Sequence, residues 1–414
     1  MKKNLLRGNM REMSMLIALI IIIVLFSILT KGTLLRPMNI ANLINQNAYV
    51  VILACGMLLC ILTGGNIDLS VGSTVALVGA CAGTFIITWK WNPYLSILLC
   101  LLVGIGLGMW QGFWIAYVGI PPFICTLSGM LVFRGITLLI LNGLTLAPFP
   151  AAYTQLSTGF IPDILPDGIT IGGTKLNFLC MLVGVVLAVT YVALQIKNNA
   201  TRKKKGYETE PLASMAIKTV IICAAIIAVF WKLAQHKGIP TVLIILGVLL
   251  LVYNFITQKT VMGRHLYAIG GNKKAAELSG VKTKKMMFLA YTNMSFIAAI
   301  AGLVFAARLN SASPVAGQSF EMDAIASCFI GGASAYGGTG TIGGALIGAL
   351  IMGTLNNGMS IMGISSNTQQ VVKGLVLLIA VAIDVLGKKN FNLTGLIDSV
   401  KGLFSNKGRA KAAK

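Results

Sequence analysis

Twelve apolar runs of roughly bilayer-crossing length dominate this chain. They cover residues 13–30, 41–62, 67–89, 94–118, 123–141, 176–196, 215–233, 240–255, 287–309, 322–333, 342–356 and 368–386. A helix crosses the hydrocarbon core with about 20 apolar residues, so the run at 322–333 is short and suits a half-helix. The chain is 56% hydrophobic and 11% charged, whereas soluble domains carry roughly a quarter charged residues. The expected fold is an all-α polytopic membrane protein with about 10–12 transmembrane helices. The run at 13–30 lacks a small-residue cleavage site and reads as the first helix rather than a signal peptide.

A formal charge of +22 raises the question of nucleic acid, and its placement answers against it. Most Lys and Arg fall in four segments: the N-terminus through Arg11, then 197–218, 259–285 and 388–414. The positive-inside rule places all four in the cytoplasm, with both termini there. An even number of crossings agrees. The run Arg202-Lys203-Lys204-Lys205 reads as a topology signal beside anionic membrane lipid. The loop at 142–175 falls outside; Pro148, Pro150, Pro162 and Pro166 make it an irregular or short-helical cap. All eight cysteines sit inside apolar runs and none forms a CxxC. They read as packing residues, and no metal site or cofactor is expected.

One segment interrupts the apolar pattern. Gly64-Gly65-Asn66-Ile67-Asp68-Leu69-Ser70-Val71-Gly72-Ser73 places a carboxylate, an amide and two hydroxyls between long apolar runs. Irregular polar backbone at membrane depth survives only where protein or a wet cavity covers it. An ionisable residue there marks a functional site by default. Asp68 is expected to accept bonds from freed backbone N–H groups, as a helix N-cap does. The other intramembrane polar residues are amides and hydroxyls: Asn42, Asn45, Gln46, Asn47, Asn66, Ser70, Asn293, Asn356 and Asn357. Together with Asp68 and the aromatic Phe123 they suit a pathway for a neutral polyol. Each also has a plain role as an interhelical hydrogen bond, worth about 0.6–2 kcal/mol.

A weak symmetry runs through the chain. Gly104, Gly108 and Gly112 of the fourth span have counterparts in Gly344, Gly348 and Gly353 of the eleventh. Spans one to five would then pair with eight to twelve as an inverted repeat of five spans. The single transmembrane domain, 1–414, divides into a first half at 1–143, an inserted span pair at 176–233 and a second half at 239–387. Inverted repeats place substrate near the midplane, at their interface.

The basic loop at 263–285 carries a short helix over 272–278, with Asn272 as N-cap and Gly280 just past its end. Ala275 and Ala276 give it a small face that can dock in a groove on a cytoplasmic partner. Lys274-Ala275-Ala276-Glu277-Leu278-Ser279-Gly280 resembles the E-A-A-x-x-x-G coupling loop of bacterial ABC importer permeases. Lys274 stands where that motif often carries Glu. In order along the chain stand GGNIDLSVGS, IPPFICTLSGMLVFRG, GRHLYAIGGN and MDAIASCFIGGASAYGGTGTIGGALIGALIMGTLNNG. The set resembles the branched-chain amino acid and sugar permease family, nearest its multiple-monosaccharide, xylose, ribose and galactose branches, over essentially the whole chain. The resemblance implies a homodimeric permease of the cytoplasmic (inner) membrane. Its partners would be an extracytoplasmic sugar-binding protein and a cytoplasmic sugar-import ATPase. Gly263, Gly271, Asn272, Ala275, Ala276, Glu277 and Gly280 would serve ATPase coupling. Gly270-Gly271-Asn272-Lys273 lacks the spacing of a phosphate loop, so ATP hydrolysis is expected in the partner and no chemistry in this chain. The competing reading is an ion-gradient-driven secondary sugar transporter. It requires a titratable group in the pathway, for which Asp68, Asp384 and Arg134 are the candidates.

Overall fold

The computed structural model describes residues 2–165, 169–171, 174–206 and 212–388. The basic tail beyond Lys388, and Pro166 and Asp167 of the outer loop, lie outside the described residues.

The helices are α1 (Lys2–Leu29), α2 (Pro37–Leu62), α3 (Val71–Gly83), α4 (Pro93–Phe113), α5 (Pro122–Leu141) and the short α6 (Ala151–Thr158). A small hairpin follows, β1 (Ile169–Ile171) paired antiparallel with β2 (Thr174–Leu176). Then come α7 (Phe178–Lys204), α8 (Leu212–Ala234), α9 (Thr241–Lys259), α10 (Val261–Gly271), α11 (Lys273–Leu278), α12 (Thr283–Leu309), α13 (Phe320–Ile330), α14 (Ile342–Ile361) and α15 (Ser366–Lys388). Among the described residues, ten helical stretches are long and apolar enough to cross a membrane, and Ser14–Leu29 of α1 is a shorter one. The protein is therefore an all-α polytopic membrane protein. Pro37, Pro93 and Pro122 stand in the first turns of α2, α4 and α5, where a missing N–H is harmless. Asn142 and Asn310 end α5 and α12 in the left-handed conformation.

Helix α2 is the axis of the bundle, buried without interruption from Asn47 to Leu62. It packs against α12, α13, α14 and α9, while α12 also packs against α3 and α4. The glycines of α4 explain one of these contacts. A Cβ on Gly104 would lie 2.4 Å from the Ala299 Cβ, and one on Gly108 would lie 2.7 Å from the Thr292 Cα. On α14, a Cβ on Gly348 would lie 1.9 Å from the Ser327 carbonyl oxygen of α13. Small residues at this spacing let membrane helices approach backbone to backbone.

One expected span begins later than the sequence reading, and another is the half-helix that its short run suggested. The run at 67–89 is non-helical through its first residues and turns helical only at Val71. The run at 322–333 is the eleven-residue α13, too short to cross; Gly331-Gly332 ends it, with Gly332 at φ 84°. Each short entry follows a long helix and a non-helical connector, 63–70 before α3 and 310–319 before α13. Three contacts order these segments along the bundle. At one end a Cβ on Gly65 would lie 1.9 Å from the Ala335 carbonyl oxygen. In the middle, a Cβ on Gly72 would lie 2.2 Å from the Gly317 oxygen, and one on Gly317 would lie 2.1 Å from the Gly72 oxygen. At the other end Gly83 meets Ala312, which pairs with Leu146. Helices α3 and α13 thus leave this central crossing in opposite directions.

The described part of the loop at 142–175 carries the short α6 and is tied to the bundle. The Tyr153 hydroxyl of α6 donates to the Leu303 carbonyl at 2.9 Å, and Asn310 accepts from the Phe149 N–H at 2.8 Å. The carboxylate of Asp163 accepts from the Phe178 and Leu179 N–H groups at 2.8 and 3.0 Å, capping α7.

Candidate translocation site and coupling surface

The first connector is built around Asp68, which is fully buried. Its Oδ1 accepts from the Ser70 N–H at 2.8 Å and from the Ser70 hydroxyl at 2.7 Å. Ser70 in turn accepts from the Gln111 Nε2 of α4 at 2.7 Å. Gly129 of α5 makes room for this contact, since a Cβ there would lie 2.4 Å from that nitrogen. Asp68 therefore closes a tight turn on the backbone just ahead of α3, and it leaves the first-turn N–H groups of that helix uncapped. Its Oδ2 and the Gln111 Oε1 are buried without a partner among the described residues. Gln111 lies in the fourth apolar run; its long amide amid glycines was the signal for it. Asn66 turns back on its own loop and donates to the Thr63 hydroxyl at 3.1 Å.

The second connector is held from α5. Arg134 donates to the Pro314 and Ala316 carbonyls at 2.8 and 2.6 Å. These carbonyls directly precede Gly317, which meets Gly72. Glu321, on the first turn of α13, brings its carboxylate to the same crossing: a Cβ on Gly72 would lie 2.6 Å from its Oε2.

The amides of α2 and α14 form a seam. Asn357 donates to the Gln46 Oε1 at 3.1 Å and accepts from the Asn39 Nδ2 at 2.9 Å. Asn47 donates to the Gly353 carbonyl at 3.3 Å. Gln46 and Asn357 are thus brought together, while Asn47 spans the same helix pair through backbone carbonyls. The Asn45 and Asn356 Oδ1 atoms are buried without a partner among the described residues, and Asn42 is exposed. Two expected residues stand apart from this group. Asn293 accepts from the Tyr253 hydroxyl of α9, and Phe123 lies 55% exposed on the first turn of α5.

A charged cluster below the seam escaped the sequence reading. Asp323 of α13 is fully buried. It accepts from the Tyr49 hydroxyl at 2.7 Å and pairs with the Lys373 ammonium at 3.1 Å through both carboxylate oxygens. Tyr49 stacks on Phe320 with ring centroids 3.7 Å apart. A lone lysine in the apolar run at 368–386 was the available signal, because such a residue needs a partner.

At the opposite end lie α10 and α11. The Asn272 side chain accepts from the Ala275 N–H at 3.0 Å and caps α11, and Gly280 follows it at φ 83°. The Glu277 carboxylate accepts from the Thr283 hydroxyl at 2.7 Å, tying α11 to α12. Gly263 packs under the Thr257 carbonyl, and Gly271 is open. Ala275 is exposed as expected, but Ala276 is buried and faces the bundle. In its place Leu278 projects outward at 91% exposure. Burial raises the Tyr267 hydroxyl of α10 above its ordinary range.

No group of three or more metal-ligating side chains occurs among the described residues. What the arrangement offers is a membrane bundle with two irregular connectors meeting between its ends and a protruding helix at one end. That is the anatomy of a transport subunit.

The chain belongs to the branched-chain amino acid transport system / permease component family, which matches residues 39–168 and 168–381. It is 38% identical over 381 residues to the xylose transport system permease protein XylH of Haemophilus influenzae, covering 92% of this chain and 98% of that one. The XylH of Escherichia coli strain K12 is 37% identical, with 92% and 93% covered. The ribose import permease protein RbsC of Bacillus subtilis is 36% identical, with 91% and 94% covered. No solved structure matches. The protein is a monosaccharide ABC permease, the membrane permease of an ABC sugar importer, and a multi-pass inner-membrane protein.

Proposed function

We propose that this permease passes a five-carbon monosaccharide into the cytoplasm, with ATP hydrolysed by a separate ATPase docked on α11. The observation that carries the reading is Leu278, a large apolar side chain left 91% exposed on a capped helix outside the bundle. An exposed leucine on a rigid helix fits a partner's groove as an anchor residue. The sugars in the relatives' names, xylose and ribose, support the pentose. Amides at mid-bundle support a neutral substrate. The face bearing α11 is the cytoplasmic one, with both termini on that side, as the basic residues of 259–285 support.

The two halves, 1–143 and 239–387, form an inverted repeat, with 176–233 inserted between them. The opposite directions of α3 and α13 from the Gly72–Gly317 crossing support this. The permease works as a homodimer, accepts sugar from an extracytoplasmic binding protein and contacts anionic lipid at Arg202–Lys205. The largely exposed α15 supports an interface with a second copy.

Reconstitution with a candidate ATPase and sugar-binding protein tests the reading. Leu278→Asp should release the ATPase and abolish ATP-dependent pentose uptake, with the permease still in the membrane. Full uptake by this variant would overturn the docking role. Leu278 is the position to test, because Ala276→Asp would bury a charge inside the bundle.

A further inference from the structure

The loop that bears α11 rests on the bundle through the buried Leu266 and Ile269 side chains of α10, and at the end of α10 it meets the bundle backbone to backbone. A Cβ on Gly270, in the last turn of α10, would lie 2.0 Å from the Leu62 carbonyl oxygen and 2.2 Å from the Gly338 nitrogen. The Gly338 N–H donates to that same Leu62 carbonyl at 3.2 Å. A Cβ on Gly337 would lie 2.5 Å from the Gly64 Cα. The Tyr267 hydroxyl of α10 donates to the Gly340 carbonyl at 2.7 Å. Three segments therefore meet backbone to backbone at Gly270, Gly337 and Gly338, with the Tyr267 hydroxyl bridging beside them: the end of α2 with the first connector, the end of α10, and the turn that leaves α13.

This juxtaposition has a mechanical consequence. Close-packed interiors transmit displacement, and side chains absorb it by changing rotamer. The glycine contacts at the centre of this junction have no rotamers to change. Asn272 alone separates α10 from α11, so movement of α11 reaches Gly270 directly. From there one path leads through Leu62 to the Asp68 connector, and the other through Gly338 to α13.

We propose that this glycine junction carries displacement of the docked α11 into both irregular connectors at once, with Gly270 and Tyr267 as its positioning residues. The proposal rests on the docking of an ATPase at α11. It assigns a transmission role to residues that the docking surface itself does not include. A junction that serves packing alone would affect folding and leave the coupling of ATP turnover to transport intact.

The test uses the full complex in proteoliposomes, with ATPase, binding protein and labelled pentose. It measures pentose molecules moved per ATP hydrolysed, together with the amount of ATPase that co-purifies. Tyr267→Phe removes one hydroxyl and keeps the ring. It should retain bound ATPase while the transport ratio falls at least roughly five-fold, the lower end of ordinary coupling between sites. Gly270→Ala should lower the ratio further; if that variant fails to accumulate, Tyr267→Phe decides. An unchanged ratio in Tyr267→Phe, or transport and hydrolysis falling in proportion in both variants, overturns the junction. Leu278→Asp separates the two ideas. If it leaves the ATPase bound and coupled, the docking reading falls. If it uncouples while Tyr267→Phe and Gly270→Ala keep the wild-type ratio, the junction alone falls.

Discussion

Replacing Lys373 by Met should destabilise the bundle far more than the loss of one surface contact would suggest. Lys373 approaches both oxygens of Asp323 at 3.1 Å, with side-chain exposures of 14% and 0% for the two residues. Removing one partner of a buried pair leaves the other charge uncompensated, at a cost of about 3–5 kcal/mol. The Tyr49 hydroxyl, at 2.7 Å, would remain as the neutral donor to the carboxylate, and a hydrogen bond to a charged group is worth about 1.5–3 kcal/mol. The lower end, about 3 kcal/mol, is therefore expected for Lys373→Met. Asp323→Asn in the same chain removes the stranded charge. The double variant should be more stable than Lys373→Met alone, with a coupling energy of about 1–3 kcal/mol. Equilibrium unfolding in mixed micelles, followed by circular dichroism over the four members of the cycle, measures this directly. Additive losses, or a loss under about 1 kcal/mol for Lys373→Met, would refute the assignment of a buried pair joining α13 to α15.

Three further outcomes are expected. Asn357→Ala breaks the seam between α2 and α14; with interhelical bonds averaging about 0.6 kcal/mol, it should cost about 1–2 kcal/mol in the same unfolding assay. Gly129→Ala drives a Cβ to 2.4 Å from the Gln111 amide and should cost about 1–3 kcal/mol as overpacking, while the double variant with Gln111→Ala should recover most of that loss. Partial desolvation opposes ionisation of Asp163, yet its backbone N–H donors hold the carboxyl below its usual range. A depressed carboxyl contributes stability above the unfolded value and loses it on acidification. The stability gap between the wild type and Asp163→Ala should therefore be constant above about pH 5 and close as pH falls below about 4.

Much of this architecture is written locally. Hydropathy over some twenty residues marks a span wherever it packs, which is why most of the apolar runs are helices at nearly the expected places. The cap at Asn272 and the stop at Gly280 are likewise short-range signals. The half-length of α13 was foreshadowed by its short run, and Gly331-Gly332 supplies the stop. The partners of Asp323 were not legible, because Tyr49 lies 274 residues away and only the packing of α2, α13 and α15 brings the three together. Nor could composition say which alanine of α11 faces inward. That depends on how α11 sits on α12, and the result buries Ala276 and leaves Leu278 facing outward. The hairpin at Ile169–Leu176 has too few residues to carry a pattern.

The hydrogen bonds narrow the proposed pathway. A polar side chain already bonded to a neighbouring helix has little capacity left for a passing sugar. Gln46, Asn47 and Asn357 are engaged across the α2–α14 seam, Asn293 by Tyr253, and Ser70 by Asp68 and Gln111. Asp68 and Arg134 are committed to the backbone of the two connectors. Capacity remains on Asn42, which is exposed, on the Asn45, Asn356 and Gln111 oxygens, on the Asn293 Nδ2 and on the Asp68 Oδ2. A few scattered amide groups and one carboxylate oxygen would hold a polyol weakly. Weak holding suits a transporter, because substrate must leave as readily as it enters. On this argument the charged residues keep the irregular backbone in place, and the sugar meets the amides that this scaffold leaves unused.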